Sequence, residues 1–212
     1  MYLPRHFEEQ RPEALHDLIA RHPLGMLVTH GSEGLDANHV PFELDADAGL
    51  GAHGVLRAHV ARNNPLWQSV ANGDEVLVVF RAHDAYISPN WYPSKHEAHK
   101  QVPTWNYRVV HAHGPITVRD DERYVRGLVA RLTRQHEAGQ PSPWKMGDAP
   151  QDYIDAMLKS IVGIEITVAR LVGKFKLSQN REARDRLSAA QALIGQGDSE
   201  LGEAMRAAGP PA

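Results

Sequence analysis

The sequence predicts a mainly β fold of the α+β class, a small barrel of six or more short strands with helices at its periphery. Three observations carry this. Short apolar or alternating runs bounded by glycine and proline recur through the first half of the chain. A strongly β-branched run, Ile161 to Val168, follows two helical segments in the second half. Composition is ordinary for a globular chain, 42% hydrophobic and 23% charged over 212 residues. A chain of that length buries a large share of its unfolded surface without staples. One domain over residues 1–212, with C-terminal helices at about 180–208, is the simplest division.

Pro12 to Arg21 reads as a short helix: proline suits a first turn, Leu15, Leu18 and Ile19 share a face, and Pro23 stops it. Gly25 to His30 is a strand before the turn Gly31 to Gly34. Asp36 to Leu44 is a second strand, followed by a turn over Asp45 to Gly51. Val55 to Val60 alternates, and Glu75 to Phe80 has the valine-rich pattern of a buried strand. Between them Asn64 to Ala71 fits one helix with Pro65 in its first turn. Val109 to Val118 is a further strand, with a bulge or bend expected at Gly114-Pro115. Asp121 can cap a helix to about His136 that turns Tyr124, Val125, Leu128 and Leu132 inward. After a loop at Gly139 to Pro143 come a short helix, Pro150 to Lys159, and the strand Ile161 to Val168. Glu182 to Ile194 and Ser199 to Ala207 are helices, with a loose tail at Gly209 to Ala212.

Several function classes fall away at once. There is no cysteine, which excludes disulfide scaffolds, thiolate zinc sites, iron–sulfur clusters and cysteine nucleophiles. Lys+Arg number 23 and Asp+Glu 26, a formal net charge of -3, so direct DNA binding has no support from charge. The longest apolar run, Val76 to Phe80, is far below the ~20 residues of a membrane span. Met1 to Pro12 carries Arg5, Glu8, Glu9 and Arg11 rather than a basic-then-apolar leader, and the cytoplasm is the expected compartment.

Two motifs are decoys. Gly49-Leu-Gly-Ala-His-Gly54 matches G-x-G-x-x-G, but the dinucleotide fingerprint needs a buried strand before it and a helix opening inside it. Asp45-Ala-Asp-Ala precedes it and a strand follows, so it reads as a hairpin turn. His96-Glu-Ala-His99 is one residue short of the i, i+4 spacing that puts two zinc ligands on one helical face. The 13 histidines invite a metal or haem reading, with His111 and His113 alternating on one strand, yet no third ligand is evident and no metal site is assigned. Arg123, Arg126, Arg131 and Arg134 read as a solvated helix face, and Glu8/Glu9 and Asp120/Asp121 as surface or cap residues.

Two regions carry more. Tyr86 to Lys95, followed by Val102 to Tyr107, concentrates tryptophan, tyrosine, proline, amides and hydroxyls. Such a cluster suits a planar heteroaromatic ligand with a hydrogen-bonding edge, or a rigid aromatic corner of the fold. Upstream, Arg57 to Pro65 ends a strand and enters a helix. Arg62 beside a helix N-terminus is a phosphate seat, or Asn63 or Asn64 simply caps that helix.

Met1-Tyr-Leu-Pro-Arg-His-Phe7, His59-Val-Ala-Arg-Asn-Asn-Pro65, Ala85-Tyr-Ile-Ser-Pro-Asn-Trp-Tyr92, Val102-Pro-Thr-Trp-Asn-Tyr107 and Lys174-Phe-Lys-Leu-Ser-Gln-Asn-Arg181 resemble the PaiB family, described as FMN-binding negative transcriptional regulators. The similarity runs from about residue 1 to 208. It implies a six-stranded split β-barrel of the FMN-binding type, with two protomers pairing as a homodimer and FMN at their interface. Carried over by position, Arg62 and Asn63 would meet the phosphate with His59 beside them. Asn38, His39 and Val40 would line the isoalloxazine edge. Ser88, Trp91, Lys95, Thr104, Trp105 and Asn106 would close the pocket, and Gln179 to Arg181 would approach it. No residue stands out as an indispensable acid or base, so a flavin-dependent oxidoreductase activity is left open. The alternatives are a direct DNA-binding repressor without flavin and a haem- or metal-binding split barrel.

Overall fold

The structure, a computed structural model, describes residues 1–209; positions 210–212 of the expected loose tail lie outside the described residues. The chain runs β1 (Glu8–Glu9), α1 (Pro12–Arg21), β2 (Leu24–Gly31), β3 (Gly34–Pro41), β4 (Glu43–Asp45) and β5 (Val55–Ala61). It continues α2 (Leu66–Ser69), β6 (Glu75–Ile87), α3 (Pro93–Ala98), β7 (Thr104–Arg119) and α4 (Glu122–Glu137). Then follow α5 (Gln151–Lys159), β8 (Ile161–Thr167), β9 (Arg170–Lys176), α6 (Ala183–Gly195) and α7 (Ser199–Ala207). The mainly β class with peripheral helices is the expected one, with nine strands among the described residues where six were expected.

Two compact units divide the chain. The larger comprises Ile19–Phe80 and His111–Leu171. Its strands lie in the order β3-β2-β6-β7-β8-β5-β4, so β3 and β4 are the terminal strands of that run. β2 and β3 form an antiparallel hairpin pairing Gly25 with Val40 and Leu27 with Asn38, while β5 and β8 pair Arg57 with Glu165 and His59 with Gly163. Alternation sends Leu56, Ala58 and Val60 of β5 and Val162, Ile164 and Ile166 of β8 inward, all of them buried. Gly25 is glycine because a Cβ there would lie 2.7 Å from Val78 and 2.8 Å from Phe80. Phe42, buried between β3 and β4, packs edge-on to Phe80 at 5.7 Å; its N–H donates to the Pro23 carbonyl, which splits the single strand expected over Asp36 to Leu44.

Asp121 caps α4, its carboxylate accepting from Tyr124 N–H at 2.7 Å, and Val125, Leu128 and Leu132 are buried as expected. α2 is a single turn, shorter than the helix expected over Asn64 to Ala71, because Val70 already has extended backbone. The glycine-rich motif is a hairpin loop joining β4 to β5, with Gly49, Gly51 and Gly54 at φ of 68°, 70° and 83°. Strands β4 and β5 flank it directly, so no helix opens within it to receive a pyrophosphate.

The smaller unit comprises Met1–Leu18, Arg81–Val110 and residues from Val172 on. β9 pairs β1, setting Glu8 opposite Lys174, and also pairs β7. Its core gathers Ile87, Tyr92, Leu177, Ala189, Leu193, Leu201 and Met205, with Trp91 and Phe175 packed against it. Ser94, at the start of α3, is tied to the buried Asp185 of α6, which accepts from its N–H at 3.0 Å and its hydroxyl at 2.5 Å. No helix among the described residues is long and apolar enough to cross a membrane.

Candidate functional site

The structure sorts the residues singled out in the sequence into two groups. Asn38, His39, Val40, His59, Arg62 and Asn63 belong to the larger unit; Ser88, Trp91, Lys95, Thr104, Trp105 and Asn106 belong to the smaller.

In the larger unit, Asn38 sits on β3, which ends its strand order and so has main-chain groups facing away from β2. Its side-chain carbonyl accepts from Asn64 Nδ2 at 2.8 Å, and its amide donates to Asp36 at 2.9 Å. That bond draws the β5–α2 turn onto β3. Asn64 is also the cap, its Oδ1 accepting from Leu66 N–H at 2.9 Å, so the capping reading of this turn accounts for Asn64. Asn63 and His39 are exposed and Val40 is buried. Arg62 is fully engaged: Nε donates to the Lys159 carbonyl at 2.7 Å, and Nη1 and Nη2 grip Asp120. Its guanidinium is also 5.8 Å from the Trp67 ring. Asp120, expected to be a plain surface residue, is therefore the partner of the predicted phosphate anchor.

His59 lies on β5 with Nδ1 buried and without a hydrogen-bond partner. Burial holds its pKa below the ordinary histidine value, as it does for His111 and His113, whose rings are 6.3 Å apart on β7. Because the unfolded forms of these rings take up a proton more readily than the folded ones, their contribution to stability is full above pH 6.5 and is lost as pH falls below it. The thermal midpoint should drop across that interval, and a His59→Asn variant should show a shallower drop. A midpoint that stays level, or an unchanged slope in the variant, contradicts the assignment.

In the smaller unit the aromatic region divides its labour. Tyr92 is fully buried in the core and Trp91 packs on it, which is the rigid-corner reading. Trp105 and Tyr86 instead stand out at 53% and 48% exposure, edge to face at 6.1 Å. Ser88 caps the turn before Trp91, accepting from Asn90 N–H at 3.2 Å, and Lys95 is half-buried. Asn106 is fully buried; its amide donates to Ser178 Oγ at 2.8 Å while its Oδ1 has no partner. Ser178 takes the left-handed φ of 65°, unusual for a side-chain-bearing residue. Thr104 Oγ1 accepts from the Lys176 ammonium at 2.5 Å.

One cluster was missed. On the outer face of β5 and β8, Glu165 is 7% exposed and accepts from Arg57 Nε at 3.1 Å, from Arg119 through both Nε and Nη2, and from Tyr124 OH at 3.3 Å. Arg57 reaches on to Asp45 at 2.7 Å. Its only trace in the sequence is a lone carboxylate inside the β-branched run Ile161 to Val168. Of the α4 arginines, Arg126 pairs with Glu122 and Asp155 and Arg131 with Glu43. His96 bonds the Asn90 carbonyl at 3.2 Å and His99 ends α3 in left-handed backbone, so the two do not share a helical face.

The donor set can be tested against a flavin mononucleotide. Such a ligand needs an acceptor for its ring imide, a flat apolar surface and cations for its phosphate. The exposed Trp105–Tyr86 pair offers the flat surface, whereas Asn106, the next position on β7, projects to the opposite, buried face. The exposed ring pair fits the flat ring of such a ligand, while the expected phosphate partner Arg62 is taken by Asp120.

Comparison with known proteins gives consistent findings. A family model described as "Putative FMN-binding domain" matches residues 1–170. "Uncharacterized protein AN0679" of Emericella nidulans is 36% identical over 220 residues, covering 88% of this chain and 87% of that protein. "Protease synthase and sporulation protein PAI 2" of Bacillus subtilis is 28% identical over 193 residues, covering 91% of this chain and 89% of its own, in line with the resemblance read from the sequence. Among solved structures, the FAD and heme binding protein from Mycobacterium smegmatis matches with a TM-score of 0.59 at 16% identity, over 80% of this chain and 73% of that one. At that identity the likeness concerns the fold, and it agrees with the split-barrel type.

Proposed function

Because this chain belongs to the FMN-binding domain family, whose model spans residues 1–170, we propose that it is an FMN-binding homodimer of the PaiB type acting in negative transcriptional regulation. The family match is the observation that carries the reading. The exposed Trp105–Tyr86 ring pair supports it, since it offers a flat apolar surface to a planar ring.

When bound, the flavin supplies hydride or electron transfer. The residues of this chain do the holding. Main-chain groups of Asn38, His39 and Val40 on the terminal strand β3 can meet the polar ring edge. Asn63 and His59 flank the turn that the resemblance gives to the phosphate, where Arg62 takes part only by letting go of Asp120. Ser88, Trp91, Lys95, Thr104, Trp105 and Asn106 are the groups that a partner protomer would bring to close the pocket. Regulation runs through the flavin rather than through a grip on duplex DNA: the net charge is -3 and Arg126 and Arg131 of α4 are already paired.

Freshly purified protein should show the visible bands of oxidised flavin, or should quench FMN fluorescence at micromolar concentration while sedimenting as a dimer. No uptake of FMN at tens of micromolar refutes the reading. A gel shift with promoter DNA at moderate salt, giving tight sequence-specific binding by flavin-free protein, would favour the direct repressor instead.

A further inference from the structure

Several buried or half-buried arginines of this chain have an acid beside them. Arg57, Arg62, Arg108, Arg119 and Arg126 each meet a carboxylate at 2.7 Å or less. Among its described residues the smaller unit holds cations without one, Lys95 and Arg186 singly and three more as a group. Lys174 and Lys176 stand two positions apart on β9 and so share a face of that strand, and Arg181 follows in the turn after it. Among the described residues none of the three has a carboxylate within ion-pair distance. Lys174, only 8% exposed, donates to the Tyr2 carbonyl at 3.1 Å and lies over the rings of Tyr2 and Tyr107 at 5.6 and 5.4 Å. Lys176 donates to the Thr104 hydroxyl and Arg181 to the Gln101 side-chain carbonyl at 2.7 Å. Glu8, opposite Lys174 in the strand register, is exposed and makes no ion pair with it.

Neutral acceptors and ring faces offset part of the cost of gathering three positive charges, but they do not neutralise them. Burial, together with the charges of Lys174 and Arg181, holds the Lys176 ammonium below the ordinary lysine value, so the three feel one another. The donor inventory adds to this. An ammonium has three N–H groups and a guanidinium five, and the hydrogen bonds to Thr104 and Gln101 use one of each. Arg62, in contrast, spends Nε, Nη1 and Nη2 on Asp120 and on main-chain carbonyls.

We infer that Lys176 and Arg181, backed by the buried charge of Lys174, form a seat for a phosphate-type dianion. Two sources share that chemistry: the phosphate of FMN, which rests on the function proposed above, and the phosphate of a second phosphorylated molecule, which does not.

The test has two arms. In the first, inorganic phosphate is added to the full chain at constant ionic strength and the thermal midpoint is followed. The midpoint should rise for the parent and for Arg62→Ala, should not respond in Lys176→Met, and should respond weakly in Arg181→Gln, with Lys176→Arg restoring the rise. No response in the parent, or a full response in both Lys176→Met and Arg181→Gln, overturns the seat. In the second arm FMN and riboflavin affinities are compared. A loss of about tenfold for FMN in Lys176→Met, with riboflavin unchanged, assigns the seat to the flavin's own phosphate. If Arg62→Ala removes the preference for FMN while the phosphate response still needs Lys176, the seat belongs to a second phosphorylated molecule. Failure of every form to bind flavin defeats the proposed function and leaves the first arm to decide the seat.

Discussion

Glu165→Ala should unfold at a markedly lower urea concentration than the parent, losing about 3–5 kcal/mol. The carboxylate is 7% exposed and is the common acceptor for Arg57, Arg119 and Tyr124. Taking it away leaves the Arg57 guanidinium, whose side chain is 14% exposed, with Asp45 as its remaining acid, and leaves Arg119 with none in contact. Removing one member of a buried ionic group costs more than the group contributes, because the partners stay desolvated. Acid titration provides a second reading. Burial pushes the Glu165 carboxyl up, but the guanidinium groups of Arg119 and Arg57 overcome that and hold it below its ordinary value of 4.5. Its contribution is therefore present above pH 4.5 and is lost as pH falls through the depressed folded value, so the acid limb of the stability curve should be shallower in the variant. A variant within about 1 kcal/mol of the parent would mean that these arginines find other acceptors at no cost.

Gly114→Ala should be nearly as damaging, at about 3 kcal/mol or more, although it adds a single methyl group. A Cβ at that position would sit 1.9 Å from the Thr167 carbonyl oxygen and 3.2 Å from Ala169 N. These are main-chain atoms, and Ala169 N–H donates to the neighbouring His113 carbonyl at 2.9 Å, so relief requires β7 to part from the chain leaving β8. Gly195→Ala is the matched control: it closes α6, nothing lies within 4 Å of the point its methyl group would occupy, and a gain of about 0.4–1 kcal/mol is expected from the stiffer unfolded chain. Equal urea midpoints for the two variants would show that β7 tolerates the crowding.

Gly114 also illustrates what could be read from the sequence. Gly-Pro inside a strand predicts a bulge or bend; β7 is one strand from Thr104 to Arg119, and the glycine allows the close approach of another backbone. Helices were legible where local chemistry sets their ends: α1 and α7 have the expected bounds, and α4 starts at its Asp121 cap. β9 was not, because Gly173 and three cations within seven positions hide the alternation of Arg170–Lys176. That glycine answers a tertiary demand, since a Cβ would come 2.2 Å from the Leu15 side chain. The candidate site divides the same way. The family resemblance, more than residue types, pointed to Asn38, Asn106 and Trp105, whose part in a site is the proposal made above. The acceptor that occupies Arg62 is Asp120, 58 positions away, and the acids that Lys176 and Arg181 lack are likewise visible only once the chain is folded.

Dissolved electrolyte meets two opposite situations in this molecule. Screening weakens attraction between the paired arginines and carboxylates, the exposed pairs most, and it softens repulsion along the stretch from Lys174 to Arg181. Sodium chloride thus pulls the melting behaviour both ways, and a level salt profile would record two effects in balance.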